Sequence, residues 1–100
     1  MKFSDAINAS TPVLVDFFAT WCGPCQSMAP VLENLKKKLG DQVTILKVDV
    51  DKNPKVAAQF RISGVPTFMI FKEGKVKWRQ SGMLTQSQLE QVIGQFSFPS

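Results

Sequence analysis

Residues 13–48 restrict the fold more than any other part of the chain. Val13-Leu14-Val15-Asp16-Phe17-Phe18 is an apolar run with hydrophobic side chains in both alternation sets. Such a run is a strand buried on both faces, as at the centre of an α/β sheet. From about Pro24 to Leu39, Met28, Val31, Leu32, Leu35 and Leu39 recur at helical spacing, while Glu33, Lys36 and Lys37 face water. Pro24 suits the first turn of that helix, where its missing N–H costs nothing. Pro30 lies inside it and is expected to kink it. Gly40-Asp41 stops it, and Val43–Val48 reads as a second strand. Strand, crossover helix and strand make a βαβ unit, so the two strands should be parallel with a right-handed crossover.

The remaining segments attach to that unit. Ser4–Ala9 reads as a short helix ended by Ser10-Thr11-Pro12, because residues before proline avoid the α region. Asn53 reads as an N-cap and Pro54 as the first residue of another short helix, with Val56, Ala57 and Phe60 facing the core. Thr67–Phe71 and Val76–Gln80 read as strands joined by Glu73-Gly74, a two-residue hairpin signal. In the second of these, alternation sets Val76 and Trp78 on one side. Lys75, Lys77 and Arg79 take the other, as charges that protect a sheet edge. Thr85 with Gln88 forms a capping box, and Leu84 with Leu89 a hydrophobic staple. Leu89, Val92, Ile93 and Phe96 give the final helix its buried face, and Phe98-Pro99-Ser100 should fray. The order α-β-α-β-α-β-β-α implies an α/β sandwich, with one mixed sheet and helices on both faces.

A chain of 100 residues, 44% apolar and 20% charged, is long enough for one buried core. A single domain over residues 1–100 is expected. No apolar run is long enough to cross a membrane. The first eight residues lack a signal-peptide core, so a cytoplasmic protein is expected. The formal charge of +4 is mild and scattered. Its densest run, Lys36-Lys37-Lys38, falls where cations oppose the negative end of a helix dipole. No nucleic-acid partner is expected.

The chain has two cysteines and no histidine, which excludes Cys-His and Ser-His-Asp catalysis. Both cysteines lie in Trp21-Cys22-Gly23-Pro24-Cys25, where the first strand hands over to the helix. There is no second C-x-x-C and no histidine to complete a four-ligand zinc site, so no metal is expected. Asp49-Val50-Asp51-Lys52-Asn53 starts like a calcium loop. It then departs from that pattern, with Pro54 at the sixth position and Phe60 at the twelfth. Redox chemistry is the main candidate left.

A thiolate, not a thiol, attacks a disulfide. Cys22 precedes a helix N-terminus, where unpaired N–H groups and the dipole favour negative charge. Cys25 lies one turn on and should be the more buried. Cys22 is therefore the expected attacker and Cys25 the resolver. Asp16 is the only acid in the buried strand run. Desolvation should raise its pKa toward the operating pH, as a general base for Cys25 requires. Lys47 holds a comparable place on the adjacent strand. It either shares a proton or water with Asp16 or carries its amine out to solvent. The Val65–Pro66 bond can be cis or trans on sequence grounds.

Asp16-Phe17-Phe18-Ala19-Thr20-Trp21-Cys22-Gly23-Pro24-Cys25 closely resembles the active-site stretch of the thioredoxin family. The resemblance continues through Ala29-Pro30, Lys47 to Asp51, Asn53-Pro54, Val65-Pro66-Thr67, Phe71 to Gly74 and Ser81-Gly82. It covers about Pro12 to Phe96. It implies the thioredoxin fold and a protein-disulfide reductase serving cell redox homeostasis. It implies no bound cofactor. Electrons would come from NADPH through a flavin-dependent thioredoxin reductase, and the partners would be that reductase and disulfide-containing proteins. It implies a cis Val65–Pro66 bond facing the cysteines, and Asp16 as proton acceptor with Lys47 as its neighbour. Gly23-Pro24 resembles the dipeptide of reductases rather than of oxidases or isomerases. Trp21, Gly23, Pro24, Val65, Pro66, Gly82 and Met83 would form a flat apolar surface for extended substrate peptides. A monomer is expected.

The chain also departs from the family. Little sequence precedes the first helix, so the family's usual first strand should be short or absent. Four strands are expected, in the spatial order 43–48, 13–18, 67–71, 76–80. Phe18 stands where many members have Trp or Tyr. Other readings on the same fold are an oxidase or isomerase, or a binding module with no redox role.

Overall fold

The computed structural model describes residues 2–97. The expected fraying of Phe98-Pro99-Ser100 lies outside them. Helix α1 (Phe3–Ala6) leads to strand β1 (Val13–Phe18), helix α2 (Gly23–Leu39) and a 3₁₀ turn (Gly40–Gln42). Strand β2 (Thr44–Asp49), helix α3 (Pro54–Gln59), strands β3 (Thr67–Lys72) and β4 (Lys75–Ser81), and helix α4 (Gln86–Gln95) follow. The sheet order is β2-β1-β3-β4. β1 is parallel to β2 and antiparallel to β3, and β3 is antiparallel to β4. This is the thioredoxin fold with four strands. No strand precedes Val13 among the described residues.

The alternation of β1 divides the core. Leu14, Phe68 and Ile70 pack under α2 and α4 with Met28, Leu32, Leu35, Leu89 and Ile93. Val13, Val15, Phe17, Met69 and Phe71 face the other way, against α1 and α3. There Phe3, Phe17, Phe60 and Phe71 meet with ring centroids 5.3–6.4 Å apart. These two short helices gain little from their own hydrogen bonds, and aromatic packing holds them to the sheet. The backbone N–H groups of Glu73 and Gly74 donate to Ala9 and Ile7 carbonyls at 2.8 and 3.1 Å, fastening the N-terminal segment to the β3–β4 hairpin.

Helix α2 runs through Pro30 as one element. Its end is closed by Lys36, whose Nζ donates to the Gly40 and Val43 carbonyls at 2.8 and 2.7 Å. Lys38 pairs with Glu90 of α4. Thr85 and Gln88 form the expected capping box. Asn53 stands at the N-cap of α3, but its side chain does not cap. Its Nδ2 donates instead to the Asp49 carbonyl at 3.0 Å.

The simple alternation expected for β4 fails. Its register shifts opposite Ile70/Phe71, so that Trp78 pairs with Ile70 and Val76 with Phe71. Ile70 and Phe71 belong to opposite faces of the sheet, so Val76 and Trp78 do as well. The extra residue is Lys77, a bulge on an edge strand. Trp78 covers the α2/α4 core, while Val76 is left 50% exposed.

Candidate redox site

β1 delivers the chain to the site. After Phe18 the backbone turns at Ala19, whose carbonyl accepts from the Cys22 N–H at 3.2 Å. Cys22 is the N-cap of α2, in extended conformation (φ −91°, ψ 111°). Its Sγ accepts a hydrogen bond from the Cys25 N–H at 3.2 Å. A cap of this kind satisfies one of the orphan donors at a helix start and stabilises negative charge on the accepting atom. The two sulfurs form a disulfide.

Cys25 is expected from its place in the helix to be the more buried of the two. In this oxidised form they are alike, 5% and 4% exposed. Cys22 is covered because it packs with Ala19 and Cys25 against Phe18, Val50 and Val65. The asymmetry lies in surroundings instead. Cys22 Sγ is 3.7 Å from the Val65 carbonyl oxygen, beside the cis-proline loop. Cys25 lines a separate pocket of about 390 Å³ with Phe18, Ala19, Thr20, Gln26, Ala29 and Lys47.

Asp16 has no exposed surface, and neither carboxylate oxygen has a hydrogen-bond partner. Burial raises its pKa to about 6, and the positive charge of Lys47 opposes that rise. Asp16 and Lys47 are register partners across β1 and β2. Lys47 itself is exposed, with Nζ 5.2 Å from the Phe18 ring centroid. Of the two roles left open for Lys47, the structure has the amine reaching solvent over an aromatic face.

The Val65–Pro66 bond is cis. The Pro66 carbonyl accepts from the Gly82 N–H at 2.8 Å. Thr67, in the buried start of β3, bonds to the Gly64 carbonyl at 2.6 Å and the Ser81 hydroxyl at 2.9 Å. These contacts join the Val65 loop to the Gly82-Met83 segment. Gly23, Pro24, Gly82 and Met83 are exposed, Val65 is half-buried and Pro66 is buried. Pro66 thus shapes its loop rather than offering surface of its own.

Trp21 is 71% exposed, and its indole N–H donates to the Asp51 carboxylate at 2.9 Å. Asp51 is in turn placed by Asp49, whose carboxylate accepts the backbone N–H groups of Asp51 and Lys52. In the sequence Asp49 and Asp51 stand in the family resemblance and at the start of a calcium-like loop, and neither points to this turn. An Asp two residues from another at a strand end is also an Asx-turn signal, and that pattern could have found them.

The family model for thioredoxin matches residues 1–95. The chain belongs to the thioredoxin family. It is 50% identical over 93 residues to a chloroplastic thioredoxin Y from Oryza sativa subsp. japonica, covering 92% of this chain and 55% of that one. It is 45% identical over 85 residues to thioredoxin from Rhodospirillum rubrum, covering 85% and 82%. A mutant thioredoxin from Halobacterium salinarum NRC-1 superimposes with a TM-score of 0.87 at 32% identity, over 97% of this chain and 84% of that one. The chain spans about half the length of the chloroplastic thioredoxin X and Y relatives it matches, between 50% and 56%. Cys22 and Cys25 form a C-x-x-C pair consistent with the family's active site, closed here as a disulfide. Among the described residues, no helix is long and apolar enough to cross a membrane.

Proposed function

We propose that these 100 residues act as one monomeric thioredoxin domain that reduces disulfides in proteins. The observation that carries this reading is the cap at α2, where the Cys25 N–H points at Cys22 Sγ from 3.2 Å. In the reduced protein that donor and the helix N-terminus stabilise a Cys22 thiolate. The thiolate attacks one sulfur of a substrate disulfide. A Cys22–substrate bond forms, and the other substrate sulfur leaves as a thiolate that takes up a proton. The Cys25 thiol gives its proton to Asp16 and attacks Cys22 Sγ. The substrate's second thiolate is released, and the Cys22–Cys25 disulfide remains.

Asp16 suits that task because a carboxyl with a pKa of about 6 is mostly ionised at neutral pH, yet still basic enough to accept a proton. Lys47 tunes it through space. Gly23 and Pro24 set the reducing character of the pair. Substrate peptides lie across Trp21, Val65, Gly82 and Met83, with Pro66 shaping the loop. They pair with the backbone of Val65 as an added strand does. The Val65 N–H is free for this among the described residues. Electrons arrive from NADPH through a flavin-dependent thioredoxin reductase, and the compartment is the cytoplasm.

The test is insulin reduction, driven either by NADPH with a flavin-dependent thioredoxin reductase or by dithiothreitol. Catalysed reduction with both donors is the expected result. Catalysis with dithiothreitol alone would replace the proposed electron donor. No catalysis with either would overturn the reductase reading.

A further inference from the structure

The chain has four methionines. Met28 and Met69 are 0% and 2% exposed, inside the two halves of the core, and Met1 lies outside the described residues. Met83 is 56% exposed. Its neighbours fix it there. On one side the Gly82 N–H is bonded to the Pro66 carbonyl. On the other, Leu84 is buried in the α2/α4 core at 7% exposure. With both flanks held, Met83 between them stays largely exposed to solvent. The segment is tied to the Val65-Pro66 loop, and the Val65 carbonyl lies 3.7 Å from Cys22 Sγ.

We propose that Met83 is a peroxide-sensitive modification site that tunes protein docking beside the Cys22–Cys25 pair. This rests on the reading of that face as the substrate surface. A lone pair of the Met83 sulfur attacks one oxygen of hydrogen peroxide. The O–O bond breaks, an S–O bond forms and the other oxygen leaves as water. The thioether sulfur is oxidised by two electrons and the peroxide is reduced by two. The product is methionine sulfoxide, a polar group where an apolar one stood. A docking peptide must then desolvate that dipole without a partner for it, which weakens binding. While Cys22 and Cys25 are joined, neither offers a thiolate to peroxide, so Met83 responds even in the closed form.

The experiment treats the intact, disulfide-closed chain with hydrogen peroxide and maps added oxygen by peptide mass. Peroxide is then removed, and insulin reduction by dithiothreitol is measured against insulin concentration. Oxygen should appear at Met83 well before Met28 or Met69. KM should rise about fivefold with kcat little changed, the pattern of lost uniform binding. Met83→Leu, compared with itself before and after peroxide, should show no such rise. Treatment with both methionine sulfoxide reductases, one for each sulfoxide epimer, should restore the wild-type KM. Equal oxidation of the buried methionines, an unchanged KM with Met83 fully oxidised, or an equal KM rise in Met83→Leu would overturn the proposal. Untreated protein that fails to reduce insulin sinks the docking reading instead, and the oxygen map still decides whether Met83 is the modified residue.

Discussion

Asp16 is held where a charged carboxylate is least welcome, without exposed surface or a hydrogen-bond partner. Its pKa is raised from 3.8 to about 6, by burial first, with Lys47 pulling the other way. Between those two values the folded protein binds more protons than the unfolded chain. Stability therefore falls as pH rises through that window and is fully present below it. The difference corresponds to about 3 kcal/mol of destabilisation at neutral pH. Asn has the size of the neutral acid and no charge to desolvate. Asp16→Asn should gain about 2–3 kcal/mol in urea unfolding at pH 7, and the gain should vanish below the unfolded pKa. A gain that persisted at low pH would place its origin elsewhere. Asp16 was legible in the sequence because an acid within a buried run has few places to go. Lys47 was legible as its neighbour on the adjacent strand, but the direction of its amine was not, since a four-carbon stem reaches solvent or a neighbour equally well. The Asp51–Trp21 bond was invisible for a different reason. It joins residues 30 apart in the chain, and no local pattern encodes it.

At the scale of elements, the readings that held were those with a local cause. The capping box at Thr85, the proline at the start of α3 and the Glu73-Gly74 hairpin, with φ values of 54° and 78°, all follow from short-range geometry. The bulge at Lys77 did not show, because alternation in β4 reads as regular until β3 supplies the register. Strand ends moved by a residue for the same reason, with β2 found at Thr44–Asp49 rather than 43–48. Gly82 is the element-scale feature nearest the site. Its φ of 96° is one that side chains rarely adopt, yet a Cβ there would meet nothing within 4 Å. The penalty of Gly82→Ala is then conformational rather than steric, about 1–2 kcal/mol. Its urea midpoint should drop with the m-value unchanged. An unchanged midpoint would show that the backbone relaxes freely and that the Gly82–Pro66 bond does not hold the segment.

At the scale of the molecule, the fold is a device for bringing three distant segments to one end of a sheet. β1 carries Asp16 inside and releases the chain into the cap at Cys22. β2 places Lys47 beside β1 and leads to the Asp49–Asp51 turn that holds Trp21. β3 begins at Thr67, next to the cis Val65–Pro66 loop, and Gly82 returns from β4 to bond with it. The sheet order was legible from the βαβ unit and the hairpin together with the family resemblance. The near-equal burial of the two cysteines was not. It depends on Val50 and Val65 closing over the pair from other parts of the chain.

The proposed division of labour between the two sulfurs is the centre of this account, and trapping tests it most directly. Cys25→Ser, mixed in reduced form with insulin, should accumulate a mixed disulfide through Cys22 that dithiothreitol releases. Cys22→Ser should trap little under the same conditions. Trapping through Cys25 in the second variant, at the yield of the first or above it, would contradict the assignment of attack to Cys22.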